Sequence, residues 1–122
     1  MNKLLEITLL YDFYGELLTP HQQNIYELYY QNDLSLGEIS KNLKISRQGV
    51  YDTLKRCEKS LYEYEERLQL LQRFRTQKKL AEKILISTER IKKHLIKEDH
   101  FTNEYLLEIQ NIEKIINQIL EQ

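Results

Sequence analysis

Apolar positions in the chain recur at three- and four-residue steps almost from end to end, and hardly anywhere in strict alternation. That period is the signature of helices with one buried face. Leu4, Leu5, Ile7, Leu10, Tyr11 and Tyr14 predict a first helix over Lys3–Tyr14, closed by Gly15 in a left-handed cap. Thr19 as N-cap and Pro20 at the first helical position start a second helix running to about Gln31, with Ile25, Leu28 and Tyr29 inward. Asn32 and Asp33 then supply a turn.

The densest patterning lies in "DLSLGEISKNLKISRQGVYDTLKRCEKSL". Ser35 followed three residues later by Glu38 is a capping box for a short helix pinned by Ile39 and Leu43, with Ser40 small where two helices cross. The chain turns at Lys44 and a buried Ile45, and Ser46 caps the next helix. Val50 and Leu54, four residues apart, bury against the short helix, which directs Arg47, Gln48, Tyr51, Asp52, Lys55 and Arg56 outward. A capped helix pinned on one face, with long polar side chains on the other, meets the physical requirement of a helix-turn-helix. Gln48 has the two-point geometry to read adenine, Arg47 can meet guanine or phosphate, and Lys44, Lys55 and Arg56 can touch phosphates, with Ser46 in the same candidate nucleic-acid-binding set and Tyr51 open to a partner. Gly49 costs about 1 kcal/mol of helix propensity relative to alanine, a sacrifice that fits the close approach of another backbone.

No glycine or proline interrupts the chain after Gly49, and Leu61, Tyr64, Leu68 and Leu71 prolong the stripe, so this second helix is expected to pass Leu61 and reach about Phe74. "RFRTQKK" is expected to be a basic junction. Leu80, Ile84, Ile91 and Leu95 make the next stripe, with Lys78, Lys79, Lys83, Lys92 and Lys93 on its wet face, and "KEDHFTNE" is the following turn. Tyr105, Ile109, Ile112, Ile116 and Ile119 repeat at 4, 3, 4, 3, a coiled-coil-like seam that Leu106, Ile115 and Leu120 widen. An antiparallel hairpin within the monomer accounts for the seam. The extra width predicts a homodimer through Tyr105, Ile109, Ile112, Ile116 and Ile119. The expected fold is therefore all-α, with a helix-turn-helix domain over 1–70 and a C-terminal helical dimerisation segment over 71–122 packed on it.

Composition agrees: 122 residues hold three glycines and one proline, the usage of helices joined by short turns. No apolar run approaches the roughly 20 residues that span a bilayer, and Glu6, Asp12 and Glu16 interrupt the start, so a cytoplasmic location without membrane insertion is expected. The single cysteine, Cys57, reads as a packing residue. His21, His94 and His100 lie far apart and lack metal-ligand spacing, and no phosphate-binding glycine loop occurs, so neither enzyme chemistry nor a cofactor or metal is expected. Glu65 and Glu66 read as solvated acids, and Tyr11, Tyr14, Tyr26 and Tyr29 as large packing residues with wet hydroxyls. Charge is segregated. Residues 1–40 carry −5, 41–59 carry +4, 60–98 carry +4 and 99–122 carry −4, for an overall −1. Positive charge thus begins inside the motif, where a phosphate-contacting face needs it.

The motif "SLGEISKNLKISRQGVYDTLKRCEKSL" resembles region four of bacterial sigma factors. More specifically, Tyr11 to Leu68, through "DFYGELLT", "LYYQNDLSLGEI" and "SRQGVYD", resembles the YlxM family of small proteins, whose genes lie beside those of the signal recognition particle. The resemblance implies a sigma-region-four-like fold, a regulatory or accessory role in the signal recognition particle pathway and no enzymatic activity. The partners it implies are DNA or RNA and components of that particle. Two other readings stay open: a sequence-specific dimeric DNA-binding transcriptional regulator unrelated to protein targeting, and a scaffold that binds only proteins.

Overall fold

The computed structural model describes residues 2–97 and 103–121. Those residues form an all-α fold without a strand: α1 (Lys3–Tyr14), α2 (Pro20–Tyr26), α3 (Leu36–Leu43), α4 (Arg47–Leu68), α5 (Leu70–Lys97) and α6 (Asn103–Leu120). The chain divides into two compact units, Met1–Leu71 and Gln72–Gln122.

In the first unit each helix begins where a short polar side chain takes over a backbone donor that the first turn leaves unpaired. Asn2 Oδ1 accepts from Leu4 N at 2.7 Å, Thr19 and Gln22 exchange bonds in a full capping box, and Ser35 and Glu38 do the same for α3. Gly15, expected in a left-handed cap, is right-handed at φ −56° and opens a 3₁₀ turn over Gly15–Leu17. Its lack of a side chain serves packing instead, since a β-carbon there would lie 2.8 Å from the Tyr11 ring. Leu4 and Leu5, which share the heptad step of α1, stay exposed; only Ile7, Leu10 and Tyr14 are sealed.

After Tyr26 the helix widens into a π-type turn over Glu27–Gln31. One extra residue per turn rotates the inward face by one position. Tyr30 therefore packs inward in place of the expected Tyr29, which is 37% exposed.

Two buried clusters result. One joins Ile7, Leu10, Tyr14, Leu18 and Tyr26 to Cys57, Leu61 and Leu71, and the other joins Ile25 and Ile39 to Val50 and Leu54. Helix α4 is the shared element, burying Val50, Leu54, Cys57 and Leu61 along one stripe. It passes Leu61 as expected but ends at Leu68, not Phe74, because Gln69 adopts φ 57°. Gln69 Nε2 donates to the carbonyls of Glu65 and Glu66 at 3.0 and 3.1 Å, closing the helix as a glycine cap would. The break turns Leu68 outward, and α5 starts at once, so "RFRTQKK" lies inside a helix rather than at a junction.

That break is held by a compact knot. Tyr14 Oη donates to Glu65 Oε1 and accepts from Leu70 N at 3.0 Å, while Glu65 Oε1 also accepts from Leu71 N at 3.0 Å. Glu65 is thus a structural acceptor, not a solvated acid. Burial and this carboxylate hold the Tyr14 phenol above its ordinary 10.

In the second unit α5 and α6 pack through Ala81, Leu85, Thr88, Lys92 and Leu95 against Leu106, Ile109, Glu113, Ile116 and Leu120. Both sets recur at steps of three and four, the spacing of an antiparallel hairpin seam. Lys92, expected on the wet face, instead donates to Glu113 at 2.9 Å inside it, and Thr88 Oγ1 reaches Glu113 at 3.3 Å. The stripe Leu80, Ile84 and Ile91 is exposed, because the hairpin uses the neighbouring face of α5. The turn expected over "KEDHFTNE", with His100, falls mainly on 98–102, outside the described residues.

Candidate nucleic-acid interface

The α3–α4 turn is built by local hydrogen bonds. Lys44 takes φ 58°, its N–H closing onto the Ser40 carbonyl, and Ile45 N donates to the same carbonyl at 3.2 Å. Ser40 Oγ in turn donates to the Ile45 carbonyl. Ser40 is therefore the clasp of the turn rather than merely a small residue at a helix crossing. Ser46 Oγ then accepts from Gly49 N at 2.9 Å, capping α4. A β-carbon on Gly49 would approach that hydroxyl to 3.1 Å, so its bareness makes room for the cap.

Ile39, Val50 and Leu54 are buried, with Leu43 and Ile45 half-buried against them. This pins α4 to α3 and leaves Lys44, Ser46, Arg47, Gln48, Tyr51, Asp52, Lys55 and Arg56 exposed as one strip. All the residues expected at a nucleic-acid face are therefore brought together on the first turns of α4 and the turn before it.

Several of them are held by the protein itself. Gly37 is open on the side where the Arg47 guanidinium lies: a β-carbon there would come 2.9 Å from Nη2 and 3.1 Å from Nε. Gln48 Nε2 donates to Asp52 Oδ1 at 2.9 Å, one turn on. Lys55 sits 3.5 Å from Glu58 Oε2 and 5.4 Å from the Tyr51 ring centroid. Glu58 is itself fixed by the Tyr30 hydroxyl, whose pKa burial and this carboxylate raise well above 10. Lys44 and Arg56 have no carboxylate partner among the described residues. The Gly37 seat and the Tyr30–Glu58 anchor were missed in the sequence. Only the glycine beside the cap at Ser35 hinted at either, since Tyr30 reaches the site through the π-type turn.

Tyr14 and Tyr26 are less wet than their spacing suggested, each only 1% exposed. Tyr11 stacks on Tyr26 with centroids 3.9 Å apart and donates to Glu27 at 2.9 Å, and burial pushes Tyr26 up to about 12. Cys57 is buried with its thiol pushed up to about 11 by burial, a packing group and not a nucleophile at neutral pH. Among the described residues no group of three or more His, Cys, Asp or Glu is placed to hold a metal, and no helix is long and apolar enough to cross a membrane.

The residues expected at a dimer seam divide. Ile109 and Ile116 are consumed by the hairpin, whereas Tyr105, Ile112 and Ile119 are exposed beside Ile115. Leu80, Ile84 and Ile119 line an open groove of about 340 Å³ between α5 and α6, with Ala81 and Ile116 at its floor.

The family described as "UPF0122: Putative helix-turn-helix protein, YlxM / p13 like" matches residues 1–102, the whole of the capped motif included. The chain belongs to this family. Among its relatives are UPF0122 proteins of Thermoanaerobacter sp. strain X514, 49% identical over 97% of each chain, and of Bacillus cereus strain AH187, 42% identical over 94% of this chain and 98% of that protein. A UPF0122 protein of Caldanaerobacter subterraneus subsp. tengcongensis is 59% identical over 68% of this chain and 71% of its own. The first two similarities extend across the hairpin as well as the family's helix-turn-helix.

Proposed function

We propose that the protein is a nucleic-acid-binding regulatory or accessory factor without enzymatic activity, and that the exposed strip of α4 is its contact face. One observation carries the reading: a serine-capped helix, pinned by Ile39, Val50 and Leu54, that presents Lys44, Arg47, Gln48, Tyr51, Lys55 and Arg56 together to solvent. Membership of a family described as helix-turn-helix supports it. The seating of Arg47 beside Gly37 and the bond from Gln48 to Asp52 favour backbone contact, through Lys44 and Arg56, over base reading. Base readout would first have to break those contacts. The resemblance to proteins encoded beside signal recognition particle genes supports a cytoplasmic role in that pathway, with DNA or RNA and particle components as partners.

The protein is further proposed to act as a homodimer through the open apolar face of the hairpin, Leu80, Ile84 and Ile119 with Tyr105, Ile112 and Ile115. Residues this apolar, contiguous and uncovered are unusual on a monomer.

Cross-linking in cells followed by sequencing of bound DNA and bound RNA tests the first proposal and identifies the nucleic acid. In purified form, Lys55→Ala/Arg56→Ala is expected to weaken binding to every sequence and to flatten its salt dependence. Gln48→Ala costs on the order of 1 to 3 kcal/mol at one preferred sequence only if bases are read. If it does, the protein is a sequence-specific DNA regulator. If neither variant changes binding to any nucleic acid, the motif is a protein-binding scaffold.

A further inference from the structure

The charge that would draw this protein to a polyanion is not concentrated on α4. That helix carries five basic and five acidic side chains, and Met1–Leu71 carries eight basic against eleven acidic, a net −3. Helix α5 carries nine basic and two acidic, a net +7, the steepest imbalance in the chain.

The surplus is ordered. At about 100° per residue, Lys79, Lys83, Arg90, Lys93 and Lys97 fall on one ridge, about 160° from the seam of Ala81, Leu85, Thr88, Lys92 and Leu95. All five are exposed, and none pairs with a carboxylate among the described residues. The helix's own acids lie off the ridge: Glu89 is drawn toward Lys92 at 3.9 Å, and Glu82 sits about 60° round. From Lys79 to Lys97 the ridge spans about 27 Å at 1.5 Å per residue. Exposed Ile86 lies within it.

A helix face kept only for solubility mixes signs. Here like charges at four-residue spacing, Lys79 with Lys83 and Lys93 with Lys97, each cost about 0.2–0.5 kcal/mol in the free protein. Lys93 and Lys97 gain something from the negative end of the helix. Lys79 and Lys83 lie mid-helix, where that effect has died away. A row of self-repelling cations is relieved by a linear polyanion with charges at comparable intervals.

We propose that the outer ridge of α5 is a second contact surface, for the sugar–phosphate backbone of a nucleic acid, independent of base sequence. It rests on the nucleic-acid-binding reading above and moves the main source of attraction from α4 to α5. The ridge is about 120° from the open apolar row Leu80, Ile84 and Ile91, so both faces can be occupied at once.

The test is the salt dependence of binding by the full chain to random-sequence duplexes of DNA and of RNA, read by fluorescence anisotropy. Lys79→Ala/Lys83→Ala/Arg90→Ala/Lys93→Ala should lower the slope of log affinity against log salt by about 0.9 for each phosphate left without its cation, up to about 3.6. Lys79→Arg/Lys83→Arg/Lys93→Arg should retain it. Circular dichroism and sedimentation confirm that helix content and oligomeric state are unchanged. An unchanged slope in the alanine variant overturns the proposal; if Lys55→Ala/Arg56→Ala still weakens binding, the α4 reading survives alone. Wild-type protein that binds neither duplex overturns both. Competition by polyglutamate as effective as by unlabelled duplex of equal charge overturns it in favour of an acidic protein partner.

Discussion

Replacing Ile112 and Ile116 by glutamate should have opposite consequences, although the two residues are one helical turn apart. Ile116 is 3% exposed within the α5–α6 seam and Ile112 is 40% exposed on the open face. Covering a side chain that is already more than half buried is worth about 1 kcal/mol, a fraction of the ~1.5–3 kcal/mol for complete burial. Ile112→Glu removes that gain and also strips water from a carboxylate, at several kcal/mol per ion. In a twofold interface the change occurs twice. The dimer should then be weakened by at least about 5 kcal/mol, more than a thousandfold in dissociation constant, while the hairpin keeps its helices because the substituted side chain faces water in the monomer. Ile116→Glu puts the charge into the seam, and the hairpin should lose helicity even at high dilution. Sedimentation velocity over a concentration series reads association, and circular dichroism reads helicity. Wild-type protein that stays monomeric at high micromolar concentration, or an Ile112→Glu protein that still dimerises, refutes the reasoning.

Tyr14→Phe removes the hydroxyl that joins Glu65 to Leu70 N, and should destabilise the first unit by about 1–3 kcal/mol, the cost of a charge-assisted bond and an orphaned donor. Hydrogen exchange at Leu70 should quicken with it. Gly37→Ala should hold or slightly raise thermal stability by improving helix propensity, yet displace the Arg47 guanidinium, seen as a changed side-chain resonance; an unmoved Arg47 would contradict the seat described. The hydrogen bond from Lys92 holds the Glu113 carboxyl below its ordinary 4.5. Its contribution is therefore complete above that value and fades as pH falls through the lowered one. Acid titration of the full chain should show the helicity loss in that window flattened by Glu113→Gln.

What was legible in the sequence follows from the range of each interaction. Thr19, Ser35 and Ser46 act on donors three residues away, so their caps and the α3–α4 motif could be read directly, as could the pairing of Val50 with Leu54. Tyr29 and Tyr30 exchanged places because nothing in "ELYYQ" announces a π-type turn, and the acceptor that Tyr30 then meets, Glu58, lies 28 residues on. The end of α4 was hidden because glutamine occupies the left-handed position and closes the helix with its own side chain. The hairpin was harder still. Two neighbouring stripes of α5 are apolar, and the seam takes the one that holds Ala81, Thr88 and the Lys92–Glu113 pair, while Leu80, Ile84 and Ile91 lie outside. Size and hydrophobicity pointed to the wrong face of α5; the complementary pair across the seam was the usable signal.

The two buried clusters of the first unit also differ in how much chain each must wait for. Ile25, Ile39, Val50 and Leu54 come together within 30 residues, whereas the other cluster ties Ile7 to Leu71, and the knot at Tyr14 cannot close until Leu70 and Leu71 are present. Short loops close at lower entropic cost than long ones. On a chain emerging from the ribosome, the helix-turn-helix can therefore assemble while α1 still has no complete surface to dock on, and arrival of the α4–α5 corner becomes the event that completes the unit.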